Sequence, residues 1–395
     1  MKTLILIAAT TTGCAWTTFD DLADTTPARA EEKPDGVKAS DYGVAIVGAT
    51  GSESSGGTVG VLSAGPGNFS TIKLGATSLD LGNSESLGQH TIDSLSSNAT
   101  LLFDGAGKIA LIDNSNSNTV IVVTGDATGL KVDTQIPTAA HPIATTYVND
   151  KVIVATDAPS GSPNVYAVTG GNGVVSCRLL DNTAMPLAAA AVAIDGTKLW
   201  AYTKAGAFFG YTLSALDTPA GCGGNDMNGN PVGAPLAPTT MVVTAGAAPN
   251  GGHIGIASGK FAVLASYDIP STSTGAIQVV SITTDPTAVG TAIPAAGLRS
   301  AAFDLLPTEG ILVLGYPNRQ IGSTPGAGGV DLHTLALDTG VLSSPAEVLS
   351  IPGADSNSLF GRSVTTTKYN GGVIVVAAAS NVVYSYYQTT LYEKR

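Results

Sequence analysis

Residues 360–387 read FGRSVTTTKYNGGVIVVAAASNVVYSYY. Three β-rich apolar bursts are split by two short breaks, Asn370-Gly371-Gly372 and Ser380-Asn381. Gly and Asn tolerate the positive φ of tight turns, so each break reads as a hairpin. Alone, this stretch would be a terminal meander. As the last copy of a repeat, it decides the fold of the chain.

The pair of bursts recurs. Val44–Val47 precedes Val59–Leu62, Ile109–Ile112 precedes Val120–Val123, and Val152–Ala155 precedes Val165–Val168. Leu199–Tyr202 precedes Phe208–Tyr211, Phe261–Leu264 precedes Ile277–Val280, Ile311–Leu314 precedes Val330–His333, and Val373–Val376 precedes Val382–Ser385. The second bursts begin between 59 and 382 at a mean spacing of about 54 residues, within the range of propeller blades. Most pairs follow another strand ending in a turn, as in LLFDGAGK at 101–108 or VAIDGTK at 192–198. A weaker strand comes after, such as VVSCRLL at 174–180 or AEVLSIP at 346–352.

Four antiparallel strands per unit and seven units predict an all-β chain, a seven-bladed β-propeller of four-stranded antiparallel blades. Face-to-face stacking buries both sides of the middle strands. That accounts for continuous Val/Ile/Leu/Ala runs where one-sided burial would give alternation. Two or three sandwiches in series are the alternative, but they need no such similar units. The reading places the innermost strand of blade one, the weak unit, at 36–42, GVKASDY, and the outermost strand of the last blade at 389–395, TTLYEKR, with closure by mixing strands from both ends left open.

Composition agrees with a strand-rich body. Of 395 residues, 44% are hydrophobic and 12% charged, too apolar for a disordered chain. Scarce 3.6-residue periodicity predicts little helix. The net charge is −12, and the 18 Lys and Arg are scattered, which excludes the clustered cations of a nucleic-acid binder.

The start, MKTLILIAATTTGC, combines Lys2 with the short apolar run Leu4–Ala9. That run is too short to span a bilayer and reads as a signal peptide, residues 1–13. Thr11-Thr12-Gly13-Cys14 resembles a bacterial lipobox, with Thr11 where that motif usually has Leu. The resemblance implies lipid on Cys14. Residues 14–40, rich in Thr, Asp, Glu, Ala and Pro, then read as the lipidated cysteine and a flexible tether, and 41–395 as the propeller. The expected address is the bacterial cell envelope, lipid-anchored, or secreted. Cys177 and Cys222 would remain as one disulfide pair or two free thiols.

Phe360-Gly361-Arg362-Ser363-Val364 followed by Asn370–Val376 resembles the FG-GAP repeat of integrin-like propellers. Gly48-Ala49-Thr50 and Gly315-Tyr316-Pro317 echo that family's Gly-Ala-Pro. FG-GAP blades usually carry a calcium loop, and calcium wants six to eight oxygens with several carboxylates. Here the matching stretch, Lys368–Gly372, holds no acid, so calcium is not expected in that blade. The stretches 113–119, DNSNSNT, and 225–230, NDMNGN, carry one carboxylate each and read as plain hairpin tips.

His141, His253, Arg299 and Arg362 fall near the starts of innermost strands, where a channel mouth would gather them for an anion or a metal. His90 precedes blade two and could join them. Scattered polar residues at loop–strand junctions are the plainer reading. No GxSxG, HExxH, Walker or CxxC pattern occurs. The breaks at 215–240, 266–276 and 316–329 lengthen connections, where binding on rigid scaffolds often lies.

The function expected is a non-enzymatic, envelope-anchored binding or scaffolding module for a protein or glycan. It would be a monomer without cofactor, touching membrane only through its lipid. A propeller enzyme of lyase or lactonase type, with a metal or anion at the channel mouth, is the alternative. A purely structural surface component is a third.

Overall fold

The structure, a computed structural model, describes the backbone of strands between Gly36 and Tyr387. With side chains it describes 120–122, 152–154 and most of 189–213, 236–240, 245–267, 275–298, 303–345, 348–350, 356–368 and 373–379. Among these residues the chain is all-β, apart from one 3-10 turn at Leu213–Leu216.

Strand β1 is Gly36–Lys38. The first sheet holds β2 (Val44–Ser52), β3 (Gly56–Ala64), β4 (Asn68–Lys73) and β5 (Glu85–Thr91). The second holds β6 (Thr100–Phe103), β7 (Ile109–Asn114), β8 (Thr119–Asp126) and β9 (Gly129–Pro137). The third holds β10 (His141–Val148), β11 (Lys151–Asp157), β12 (Asn164–Thr169) and β13 (Gly173–Arg178). The fourth holds β14 (Ala189–Asp195), β15 (Lys198–Thr203), β16 (Ala207–Thr212) and β17 (Val243–Thr244). The fifth holds β18 (Gly252–Ala257), β19 (Phe261–Ser266), β20 (Ala276–Ser281) and β21 (Thr287–Pro294). The sixth holds β22 (Phe303–Leu306), β23 (Ile311–Tyr316), β24 (Gly329–Thr334) and β25 (Glu347–Leu349). The last holds β26 (Ser363–Tyr369), β27 (Gly372–Ala378) and β28 (Val382–Tyr387), with β1 as its fourth strand.

Each sheet is four-stranded and antiparallel; the first six are meanders of consecutive strands, and the last takes its fourth strand from β1. The first strands neighbour one another in chain order, from β2 through β6, β10, β14, β18 and β22 to β26, and β26 in turn lies beside β2. The core therefore sits between sheets, as β19 shows. Phe261, Val263 and Ala265 pack toward Leu312 and Leu314 of the sixth sheet. Ala262 and Leu264 pack toward Trp200 and Tyr202 of the fourth. In β23, Leu312 and Leu314 face the fifth sheet while Ile311 and Val313 face the last. Every residue of both strands is buried, which is why neither shows the alternation of a half-exposed strand. Each large aliphatic side chain so buried contributes about 1.5–3 kcal/mol.

The last sheet mixes strands from both ends of the described residues, as the sequence reading allowed, but not the strands it placed there. Residues 36–38 do not begin the first sheet. They pair with β28 in the register Gly36↔Tyr384, Val37↔Val383, Lys38↔Val382 and form the outer edge of the last sheet, the place expected for 389–395. Residues 389–395 lie outside the described residues. The first sheet then starts at Val44, so its two apolar bursts are its first and second strands, where in the other sheets they are the second and third. The cause is pairing between residues more than 300 positions apart, which no local pattern announces. The first described strand thus lies at Gly36–Lys38, inside the 14–40 stretch read as tether.

Candidate functional site

Antiparallel alternation gives every sheet the same polarity. First strands begin, and second strands end, at one rim, here called upper; the opposite rim is lower. The upper rim also carries the 317–328 connection between second and third strands; residues 268–274 of the corresponding connection in the fifth sheet lie outside the described residues. Cross-sheet contacts agree: Gly328 bridges Phe360 at the upper rim, while Ser258 Oγ donates to Pro307 O at the lower.

Three of the four expected site residues belong to the upper rim. His141 opens β10, and the register sets it opposite Asp157. His253 is the second residue of β18. Arg362 immediately precedes β26. Arg299 lies outside the described residues, as does Cys222, whereas Cys177 sits in β13 opposite Val165. Cys14 and the 1–13 signal segment are also outside. His90 falls in β5, the outermost strand of its sheet, away from the first-strand ring. Of the 215–240 insertion, which joins β16 to β17, residues 217–235 lie outside the described residues.

The ring of His253 is stacked on Phe303 and edge-on to Tyr267, each centroid 5.1 Å away. Its Nε2 is out of solvent without a partner among the described residues, and burial pushes its pKa down to about 4. At neutral pH this imidazole is an uncharged wedge between the fifth and sixth sheets and supplies no positive charge to the rim. Arg362 is half-buried, and desolvation lowers its pKa. Its backbone N–H donates to Leu359 O and Ala378 O. No ion pair of its guanidinium occurs among the described residues.

The segment 316–328 is built from its own contacts. Arg319 forms a two-pronged ion pair with Asp331, its Nη2 at 2.6 Å from Oδ2, and lies over the Tyr316 ring at 4.3 Å. Burial alone would lower the Arg319 pKa; the hydrogen bond and charge of Asp331 outweigh it and raise the value. Burial, then the Asp331 charge, pushes the Tyr316 hydroxyl up. Ile321 and Thr324 exchange backbone hydrogen bonds at the tip. At its end the segment is stitched to the last sheet, with Phe360 N–H donating to Ala327 O and Leu359 N–H to Gly326 O.

That stitch explains the Phe-Gly pair of the opening stretch. Phe360 is fully buried between the sixth and last sheets. Gly361 has φ +83°, and a Cβ there would sit 2.5 Å from Gly329 O and 3.1 Å from Gly315 Cα. Gly361 therefore packs against Gly315, which belongs to the other half of the resemblance.

Sequence reasoning missed Asp304. Its carboxylate crosses from β22 to β26, accepting from Thr366 N–H at 2.6 Å, Thr365 Oγ1 at 2.9 Å and Leu305 N–H at 2.8 Å. Burial raises its pKa against the pull of those three donors. A lone acid amid Phe303, Leu305 and Leu306 was the available signal. His333 was also missed as a site residue. Its Nδ1 lies 3.0 Å from Ser343 O, which fixes the proton on Nδ1, and its Nε2 is buried without a partner among the described residues. No group of three metal-ligating side chains occurs among the described residues.

Comparison with known proteins places the fold. No protein-family model matches the chain, and no curated protein matches. A chain of the Mitotic Checkpoint Complex superposes with a TM-score of 0.53 at 12% identity, covering 92% of this chain and 92% of its own. A protein from Bacteroides uniformis provisionally assigned as a 6-phosphogluconolactonase gives 0.53 at 15% identity, covering 87% of this chain and 92% of its own. At such identities the likeness is of fold alone, and that fold is propeller-type.

Proposed function

We propose that this chain is a seven-bladed β-propeller closed on itself, held at a bacterial cell envelope through lipid on Cys14, acting there as a non-enzymatic binding module for a protein or glycan. The cyclic order of first strands, β26 beside β2 and β1 on β28 support the closed ring. Residues 1–14 support the anchor, and the Phe360–Val364 resemblance to FG-GAP repeats supports the blade type. The observation that carries the binding reading is segment 316–328. It projects from the upper rim yet is held by the Arg319–Asp331 pair, its own bridge and the stitch to the last sheet. A projection that is already ordered forfeits little conformational entropy when a partner docks.

One observation favours a lyase- or lactonase-type enzyme with an anion or metal at the upper mouth. Arg362 is a half-buried cation with no ion pair among the described residues, and such a charge gains from an anionic ligand.

Full-length chain in detergent distinguishes the two. Glycan arrays and purified envelope proteins are probed with wild type and with Ser323→Arg, which places a bulky charge on the exposed tip. Binding by wild type and its loss in the variant support the module. A stoichiometric metal by elemental analysis, with sugar-lactone turnover lost in Arg362→Ala, replaces it with the enzyme.

A further inference from the structure

The fifth and sixth sheets part along their outer strands. Opposite Gln278 of β20, the outermost strand β21 carries three exposed residues, Gly290–Ala292, between the pairs Val279↔Val289 and Ile277↔Ile293. Gly290 has φ +66°, and Gln278 fills the gap behind this bulge, its Nε2 donating to Val279 O at 2.9 Å and to Val289 O at 3.2 Å. The facing wall is the lower-rim hairpin of the sixth sheet, closed by Leu335↔Leu342. Its Gly340, at φ +74°, lies so close to Phe261 that a Cβ would sit 2.5 Å from the ring. The hairpin is thus pinned on the start of β19 while the bulge stands away from it, and a groove of about 240 Å³ opens between them. Ile277, Val279, Val289, Ile293, Val341 and Leu342 line it, with no charged side chain. The apolar surface continues into solvent. Val341 is 60% exposed and Val348 51%, the two exposed large hydrophobic side chains among the described residues. Val348 pairs with Asp331 and Asp331 with Leu314, so Val348 shares the face that Leu314 turns to the fifth sheet.

The charges beside the groove have one sign. Residues 268–298 and 334–361 hold five carboxylates and no Lys or Arg. Asp285, in the β20–β21 turn, and Asp338, at the hairpin tip, are exposed at the lower end of the groove, and neither has an ion pair among the described residues. The one Lys of the fifth sheet, Lys260, belongs to the inner β18–β19 turn. We propose that this groove docks an extended basic–apolar segment of a partner protein, with one aromatic side chain in the groove and a flanking Lys or Arg on Asp285 or Asp338. A dry cavity of about 150 Å³ takes benzene, so this groove has room for a Phe or Trp ring. Exposed apolar surface rimmed by polar groups is the mark of a protein contact, and the acidic border selects a cationic partner. A second copy of this chain would set acid against acid, at a net charge of −12 each. The groove lies on the outer side of the sheets and reaches the lower rim, apart from the 316–328 projection, and does not depend on the function proposed for that segment.

The test uses full chain in phosphatidylcholine nanodiscs, free of detergent that would fill the groove. It is titrated into fluorescein-labelled nonapeptides with Trp, Leu or Ser at the centre and Lys, Ser or Glu on either side, and anisotropy is read. Lys-flanked Trp peptides should bind. Thr291→Trp, which plugs the groove from an exposed position, should weaken them by about tenfold or more. Asp285→Lys combined with Asp338→Lys should weaken them by about three- to tenfold and turn the preference toward Glu-flanked peptides. All three positions are exposed, and urea midpoints matching wild type show that the variants fold. Equal affinity for Ser-centred peptides, binding that Thr291→Trp leaves unchanged, or no binding of any Lys-flanked peptide overturns the inference. Dimers in sedimentation equilibrium that Thr291→Trp dissociates overturn it in favour of a second copy.

Discussion

Replacing Asp304 by Ala should loosen the joint between the sixth and last sheets. The wild-type carboxylate satisfies the Thr366 and Leu305 N–H groups and the Thr365 hydroxyl, and Thr365 and Thr366 are buried. Removing it strands these donors, at about 1–3 kcal/mol for each that water cannot reach. Relief of the buried charge offsets part of this, since burial already works against the ionised form. The net loss should be about 3 kcal/mol. Thr365→Val, which removes one donor and leaves the carboxylate two N–H partners, should cost about 1 kcal/mol. In the double variant the two effects should fall short of additivity by more than about 0.5 kcal/mol, because both act on one hydrogen bond. Urea unfolding gives the stabilities, and hydrogen exchange at the Thr366 amide reads the joint itself. The pH dependence has a definite sign. A folded pKa above the unfolded value near 3.9 means that the stabilisation is complete below that value and is lost as pH rises through the folded pKa. Asp304→Asn should lack this loss. A variant Asp304→Ala within about 0.5 kcal/mol of wild type, with Thr366 exchange unchanged, would refute the clamp.

His253 carries the opposite sign. Its lowered folded pKa means stability is complete above the unfolded value near 6.5 and is lost as pH falls toward about 4, so His253→Phe should flatten that acid limb in pH-dependent melting. Gly361→Ala should cost about 2–4 kcal/mol, combining a positive φ with a clash on Gly329 O, and Phe360→Ala about 3–5 kcal/mol from the cavity left between two sheets. Both should lower the urea midpoint; an unchanged midpoint for Gly361→Ala would mean that the 316–328 stitch can relax away. Deleting residues 36–38 should lower the melting temperature and bare the β28 edge, promoting association seen by light scattering. A deletion that remains monomeric and melts as wild type would show β1 to be dispensable.

The repeat and the strand class were legible in the chain because they are local. A burst such as Phe261–Leu264 or Val373–Val376 carries its burial on both faces in its own composition. The tight breaks carry their turns in Gly and Asn. Even the Phe360-Gly361 pair could be singled out, although not its reason, which needs Gly315 and Gly329 brought against it from the neighbouring sheet. What tertiary structure alone decided is whatever depends on distant partners. Gly36–Lys38 is a poor strand by sequence and becomes one because β28 offers an open edge. Asp304 finds its donors 61 and 62 residues away. His253 matches a rim histidine by position, yet Phe303 and Tyr267 make it a neutral packing residue. Composition and spacing report what a segment can bury, whereas pairing partners, rim polarity and charge state follow from neighbours that only the assembled sheets supply.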